Sequence, residues 1–187
     1  PQTSFFLMPI IGGYLEPNQR LADVTEKIYQ EFVALKEDTG KVGEIRLLLM
    51  LAPFLFPSQS FYDWLRDDMG VRFVFEEQSH IYWRPLDPTD PFRSLARKCL
   101  DMEWVGPLSR RLAIADQLVE EYRAQGVVFT SIWGCRHLIG GVPLIRKHFA
   151  QRGIPCLNLD VDLGDERNVD FTSVQSRIEE FLEIIRN

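Results

Sequence analysis

Cysteine and histidine are scarce, at three residues each among 187. Cys99, Cys135 and Cys156 cannot all pair and form no CxxC or other local zinc pattern, which excludes a small disulfide scaffold and a zinc ribbon and fits a reducing cytoplasm. Basic residues are in deficit. Twenty-one Lys and Arg stand against 27 Asp and Glu, and the net charge of −6 provides no general field for a nucleic-acid backbone or an anionic membrane. Long hydrophobic runs are missing as well: the longest apolar stretch, residues 45–56, is interrupted by Arg46 and Pro53 and is too short to cross a bilayer. Nucleic acid and membrane are therefore not expected as partners. The chain opens on Pro1 without a methionine, a charged n-region, an apolar core or a cleavage site of the secretory type, and is read as part of a longer polypeptide. What is present, 45% hydrophobic and 26% charged residues, suffices for a folded domain with its own core.

Leu21, Val24, Ile28, Phe32 and Leu35 recur at helical spacing, so residues 1–40 form a helical lead-in. Residues 44–51 (EIRLLLML) are almost continuously apolar, as in a strand buried on both faces. Residues 60–69 read as a helix with Ser60 as N-cap, and residues 71–76 (VRFVFE) as a second strand after Gly70. Two helices follow, residues 92–103 and 108–125, the second capped by Gly126. Strand 127–132, helix 142–151 opened by Pro143 and closed by Gly153, strand 154–159 and a last apolar helical stripe from Phe171 to Ile185 complete residues 41–187. Alternating strands and helices imply a flavodoxin-like α/β fold: a parallel four-stranded sheet of order 2-1-3-4 with helices on both faces. Ligands of such sheets sit beyond the carboxyl ends of the strands where the winding reverses, which nominates the loops at residues 52–59 and 131–141.

The first of these loops contains no glycine, and no Walker A or GxGxxG sequence occurs, so a standard phosphate cradle is excluded. The second holds Cys135 beside Arg136 and His137, a few residues before a helix; this suits a thiolate for ligation or reaction, while a small buried hydrophobe explains the same cysteine equally simply. The second strand runs into Glu76, Glu77, Ser79 and His80, either an acid–base rim or a solvated edge. Asp160, Asp162 and Asp165 lack the spacing of a calcium loop and suit an Asp–Arg clasp or a helix-capping turn. Cys99 and Cys156 read as core residues.

The succession 126–135 (GVVFTSIWGC), a helix, 153–162 (GIPCLNLDVD), Asp165-Glu166-Arg167 and 177–182 (RIEEFL) resembles the carboxyl-terminal part of the 2-hydroxyacyl-CoA dehydratase D-component family, which includes benzoyl-CoA reductase subunits. Asp87-Pro88 through Lys98 and the Glu77/Ser79/His80 rim fit more loosely, and the likeness spans residues 43–187. The resemblance implies a [4Fe–4S] cluster held by three cysteines, of which one maps onto Cys135. It further implies an acyl-CoA substrate, a second homologous subunit and an ATP-dependent activator that delivers one electron. Ser131 and Arg136 would then stand near the cluster sulfurs, with Glu77, Ser79 and His80 lining the substrate side. The alternative is a free-standing flavodoxin-like ligand-binding or interaction module without a cluster, in which Phe54, Leu55, Phe56 and Trp133 offer a partner surface.

Overall fold

Ile45–Leu51 (IRLLLML) forms β1. A strand with one polar side chain in seven requires cover on both faces, and β1 lies inside an all-parallel sheet ordered β2-β1-β3-β4. The other strands are β2, Val71–Glu76, β3, Gly126–Ile132, and β4, Cys156–Val161. The flavodoxin-like order read from the sequence is the order found. This computed structural model describes residues 19–34, 43–51, 59–80, 84–102, 105–162 and 165–187. The chain divides into two compact units, Pro1–Glu44 and Ile45–Asn187. Within the first, Gln19–Ala34 forms helix α1. The loop residues 52–58, with Phe54, Leu55 and Phe56, lie outside the described residues.

The second unit carries helix α2 (Gln59–Asp63), running directly into a π-helical turn at Trp64–Asp68, then α3 (Pro91–Asp101), α4 (Leu108–Glu121), α5 (Arg136–Ile139), α6 (Val142–Gln151) and α7 (Phe171–Arg186). Alternation along the strands assigns their side chains to two cores. On the first face Leu47, Leu49, Val128 and Leu159 pack with Phe61 and Leu65 and with Val174, Ile178, Phe181 and Leu182 of α7. On the second, Leu48, Met50, Val127 and Phe129 pack with Ala115, Leu118 and Val119 of α4 and Ile145 and Phe149 of α6. Each such side chain taken fully from water contributes about 1.5–3 kcal/mol. Asp116 of α4 further pairs with His148 at 2.8 Å and Arg152 at 3.1 Å, tying α4 to α6.

Two departures from alternation shape the carboxyl edge. The β1–β2 register shifts between Leu47 and Leu48, which pair with Phe73 and Phe75, so that Val74 is an inserted residue. Val74 and Phe75 consequently both pack on the second face, and Glu76 falls opposite Leu49 on the first. Leu51, the last residue of β1, has φ +79° and packs with Leu48 and Met50 instead of Leu47 and Leu49.

Several expectations are corrected. Gly126 does not cap α4; it belongs to β3, where a Cβ would meet Ile185 at 2.8 Å and Phe181 at 2.9 Å, so close packing of α7 demands glycine. The turn after α4 uses Arg123 in the left-handed region instead, at φ +51°. Ser60 is interior to α2, which begins at Gln59. The fourth strand begins at Cys156: the Ile154 amide is still bonded back to Phe149 of α6, and the Pro155 carbonyl accepts from the Val127 amide of β3. Cys99 is exposed, on a helix α3 that buries no residue. Among the described residues no helix is long and apolar enough to cross a membrane.

Candidate functional site at the carboxyl edge of the sheet

The end of β1 is held by a charged clamp. Arg111 of α4 donates from Nε and Nη2 to the two carboxylate oxygens of Glu77 at 2.5 and 2.6 Å, and the Leu51 amide donates to Glu77 Oε2 at 2.9 Å. Arg111 also lies over the Phe129 ring, 5.4 Å from its centroid. Only 1% of Glu77 is exposed, so the pair is desolvated and its bidentate geometry offsets that cost. The clamp coincides with the unusual backbone of Leu51, a conformation that costs a branched residue on the order of 1–3 kcal/mol and that the surroundings must impose. Glu77 therefore holds the backbone of Leu51, the last residue of β1, in this conformation.

Glu76 turns to the other face. The short 3₁₀ turn Glu77–Ser79 follows it, and the Ser79 hydroxyl donates to Glu76 Oε2 at 3.4 Å. Glu76 is 5% exposed, and among the described residues its Oε1 has no hydrogen-bond partner; His80 Nδ1 is likewise buried and unpartnered. Burial pushes the Glu76 carboxyl up to about 7, the Ser79 hydrogen bond opposes the rise and the charge of Glu77 adds to it. Burial, and then the charge of Glu76, push the Tyr62 hydroxyl of α2 above the ordinary range of a tyrosine. The solvated-edge reading of the two glutamates is thus overturned, because the register shift and the Arg111 clamp take both side chains out of water.

At the ends of β3 and β4 the buried Ser131 hydroxyl donates to Asp160 Oδ1 and accepts from Asn158 Nδ2 at 3.3 Å. Trp133 and Gly134, the latter at φ +78°, turn the chain after β3. The Cys135 amide then donates to the Ile132 carbonyl at 3.1 Å, and Cys135 precedes α5 directly. Its thiol is partly exposed and partly packed on the second core; Arg136 and His137 are exposed. Beyond β4, Asp165 forms the expected clasp with an arginine, and Asp170, not one of the expected residues, caps α7. Arg167 donates twice to Asp165, and Asp170 Oδ1 accepts from the amides of Thr172 and Ser173 at the start of α7.

The expected residues therefore gather in two groups on one edge, Glu77, Ser79 and His80 after β2, and Ser131 at the end of β3 with Cys135 and Arg136 just beyond it, with the end of β1 between them. Glu76 was named with the rim but given no role of its own, and Arg111 was not selected, because nothing local marks it. Among the described residues no group of three or more His, Cys, Asp or Glu is placed to hold a metal ion. Cys156 opens β4, about 16 Å of strand from its far end, and burial pushes its thiol up to about 11; Cys99 is on α3. One cysteine at the edge does not fit an iron–sulfur cluster on its own, since such clusters require several thiolates.

A family model described as 2-hydroxyglutaryl-CoA dehydratase, D-component, matches residues 1–185. One of the benzoyl-CoA reductase subunits of Thauera aromatica is 29% identical over 100 residues, which make up 53% of this chain and 23% of that protein. The aligned segment thus spans about a quarter of the relative's length. With the match running over nearly the whole sequence, the chain belongs to the 2-hydroxyglutaryl-CoA dehydratase D-component family.

Proposed function

We propose that this chain is the sheet-bearing portion of an acyl-CoA dehydratase- or reductase-type subunit, with Cys135 furnishing one thiolate of a [4Fe–4S] cluster whose other ligands come from polypeptide beyond these 187 residues. The observation that carries this reading is the position of the thiol: partly exposed, beyond β3, at the edge where the winding of the sheet reverses. Ser131 and Arg136 stand beside that thiol in sequence and suit its surroundings, a buried hydroxyl and an exposed cation respectively. Ser79 and His80 face the acyl-CoA side, and Glu77 acts there by holding the rim on which they stand. The bound cluster would supply one-electron chemistry. The chain's own contribution is to present the thiol, hold the end of β1 and bury the polar groups of the rim so that little water competes for them.

A second homologous subunit and an ATP-dependent activator are the partners this reading requires. Cys135→Ser in the intact subunit pair, purified without oxygen, is expected to lose iron, sulfide and visible absorbance; unchanged iron and colour would remove Cys135 from the ligand set. The second reading, an interaction module without a cluster, is favoured by α3, whose Phe92 is 86% exposed on a helix that buries nothing, and by exposed Trp133. A colourless, iron-free but stably associated complex would favour it.

A further inference from the structure

The buried carboxyl of Glu76 has no part in the clamp at β1 and no role in the cluster reading, yet it is the most conspicuous unpaired group at the carboxyl edge. A glutamate 5% exposed with one oxygen lacking any partner among the described residues is an expensive feature, since a desolvated carboxylate is ordinarily paired or fully hydrogen-bonded. The inserted residue Val74 is what points it there: with an unbroken register the side chain would occupy the opposite face. Bulges that re-aim one side chain are characteristic of functional edges. Among the described residues, four groups are placed against it. Tyr62 approaches from α2, Glu77 is its neighbour toward the second face, the Ser79 hydroxyl donates to Oε2, and apolar Leu49 lies across from it in β1. None of these four is a cation. The proton therefore offers the means of relieving the buried charge, and the raised affinity of this carboxyl for it agrees with that.

We propose that Glu76 is a catalytic hydrogen-bond donor: its carboxyl presents a proton from the unpartnered Oε1 to the carbonyl oxygen of a bound acyl thioester. A neutral acid held among apolar side chains donates without the desolvation cost of a cation, and the bond strengthens as negative charge develops on the carbonyl oxygen. The proposal rests on the acyl-thioester reading for the identity of the ligand, whereas the protonation of Glu76 stands apart from it.

Acetyl-CoA, the simplest such thioester, is the probe, with binding to the whole chain measured by calorimetry from pH 5 to pH 9. The wild type is expected to bind most tightly at low pH and to lose affinity as the carboxyl ionises around pH 7. Glu76→Gln, whose amide donates from the same position without titrating, is expected to bind equally at pH 5.5, and at pH 8 more tightly than wild type by about two- to tenfold, the worth of one hydrogen bond. Glu76→Ala should bind weakly throughout. Infrared spectra supply an independent reading: the wild type should show a protonated carboxyl near neutral pH that Glu76→Gln lacks. Absence of that carboxyl signal overturns the proposal. So does a signal accompanied by the same pH dependence of binding in wild type and Glu76→Gln, which leaves the thioester reading standing. Failure of the wild type to bind acetyl-CoA at any pH, with the carboxyl signal present, overturns the thioester reading and the donor role together while leaving the buried acid itself established.

Discussion

Glu76 and Glu77 are adjacent, chemically identical and nearly equally buried, yet they meet opposite surroundings. Glu77 is paired with Arg111 and supports the Leu51 amide. Removing one member of a buried pair leaves an uncompensated charge, so Glu77→Gln is expected to cost about 3–5 kcal/mol of unfolding free energy. Glu77→Gln combined with Arg111→Met should cost less than the sum of the two single changes, measurable as a double-mutant cycle in urea. Among the described residues Glu76 has no such partner. Its carboxyl is raised from 4.5 to about 7 in the folded state, so between those values the folded protein keeps a proton that the unfolded chain has released. This term therefore favours folding at low pH, weakens it as pH rises from about 4.5 to 7, and is constant above. The decline is of order 3 kcal/mol at most. Relative to wild type, Glu76→Gln should gain stability at pH 8 over pH 5 by that difference; an equal effect at both values would refute the buried acid. None of this was legible in the repeated glutamate itself, because the distinction lies in a partner 34 residues away, Arg111, and in the inserted Val74.

At the scale of elements the sequence was informative wherever a periodicity had only one way to be buried. Continuous apolar β1 indicated a central parallel strand, and the stripe from Phe171 to Ile185 indicated α7. It was least informative where a residue type serves two purposes. Gly126 looks like a helix cap, but α7 has removed the room for a side chain there. Gly126→Ala is expected to destabilise the protein by about 1–3 kcal/mol through forced movement of Ile185 and Phe181, without changing helix content at low temperature; a neutral substitution in thermal melts would mean that these side chains yield freely. Asp170 has a single purpose, accepting from two amides at the start of α7, and Asp170→Ala should cost about 1 kcal/mol by the same measurement. The loop after β3 was chosen correctly as an edge because topology alone selects it, whereas the clamp under β1 required the packed fold to be seen.

For the molecule as a whole, the informative element is α3. Its eleven residues hold Phe92, Leu95 and Leu100 toward solvent and bury none, although the helix is strongly two-sided. An isolated helix of this length is marginal in water, because nucleation is costly and packing ordinarily supplies most of the stability. Several of its contacts hold its ends. Arg110 donates to the Leu100 and Asp101 carbonyls at 2.7 and 2.5 Å, Arg84 pairs with Asp101, and the Ser94 hydroxyl accepts from the Asp87 amide. Sequence periodicity identified the helix and placed Cys99 in a core because it registers two-sidedness without registering whether anything covers the apolar side. In the 187-residue protein the amides of α3 should consequently exchange with solvent at least 100-fold faster than those of α7, a difference of about 2.7 kcal/mol in opening free energy. Phe92→Ser should leave the unfolding midpoint unchanged, and Arg110→Met should accelerate α3 exchange further by removing its carboxyl-terminal anchors. In a preparation of the intact subunit pair, protection of α3 rising toward that of α7 would mean that the pair covers this face. Equal protection of α3 and α7 in the 187-residue protein alone would instead mean that the face is already covered.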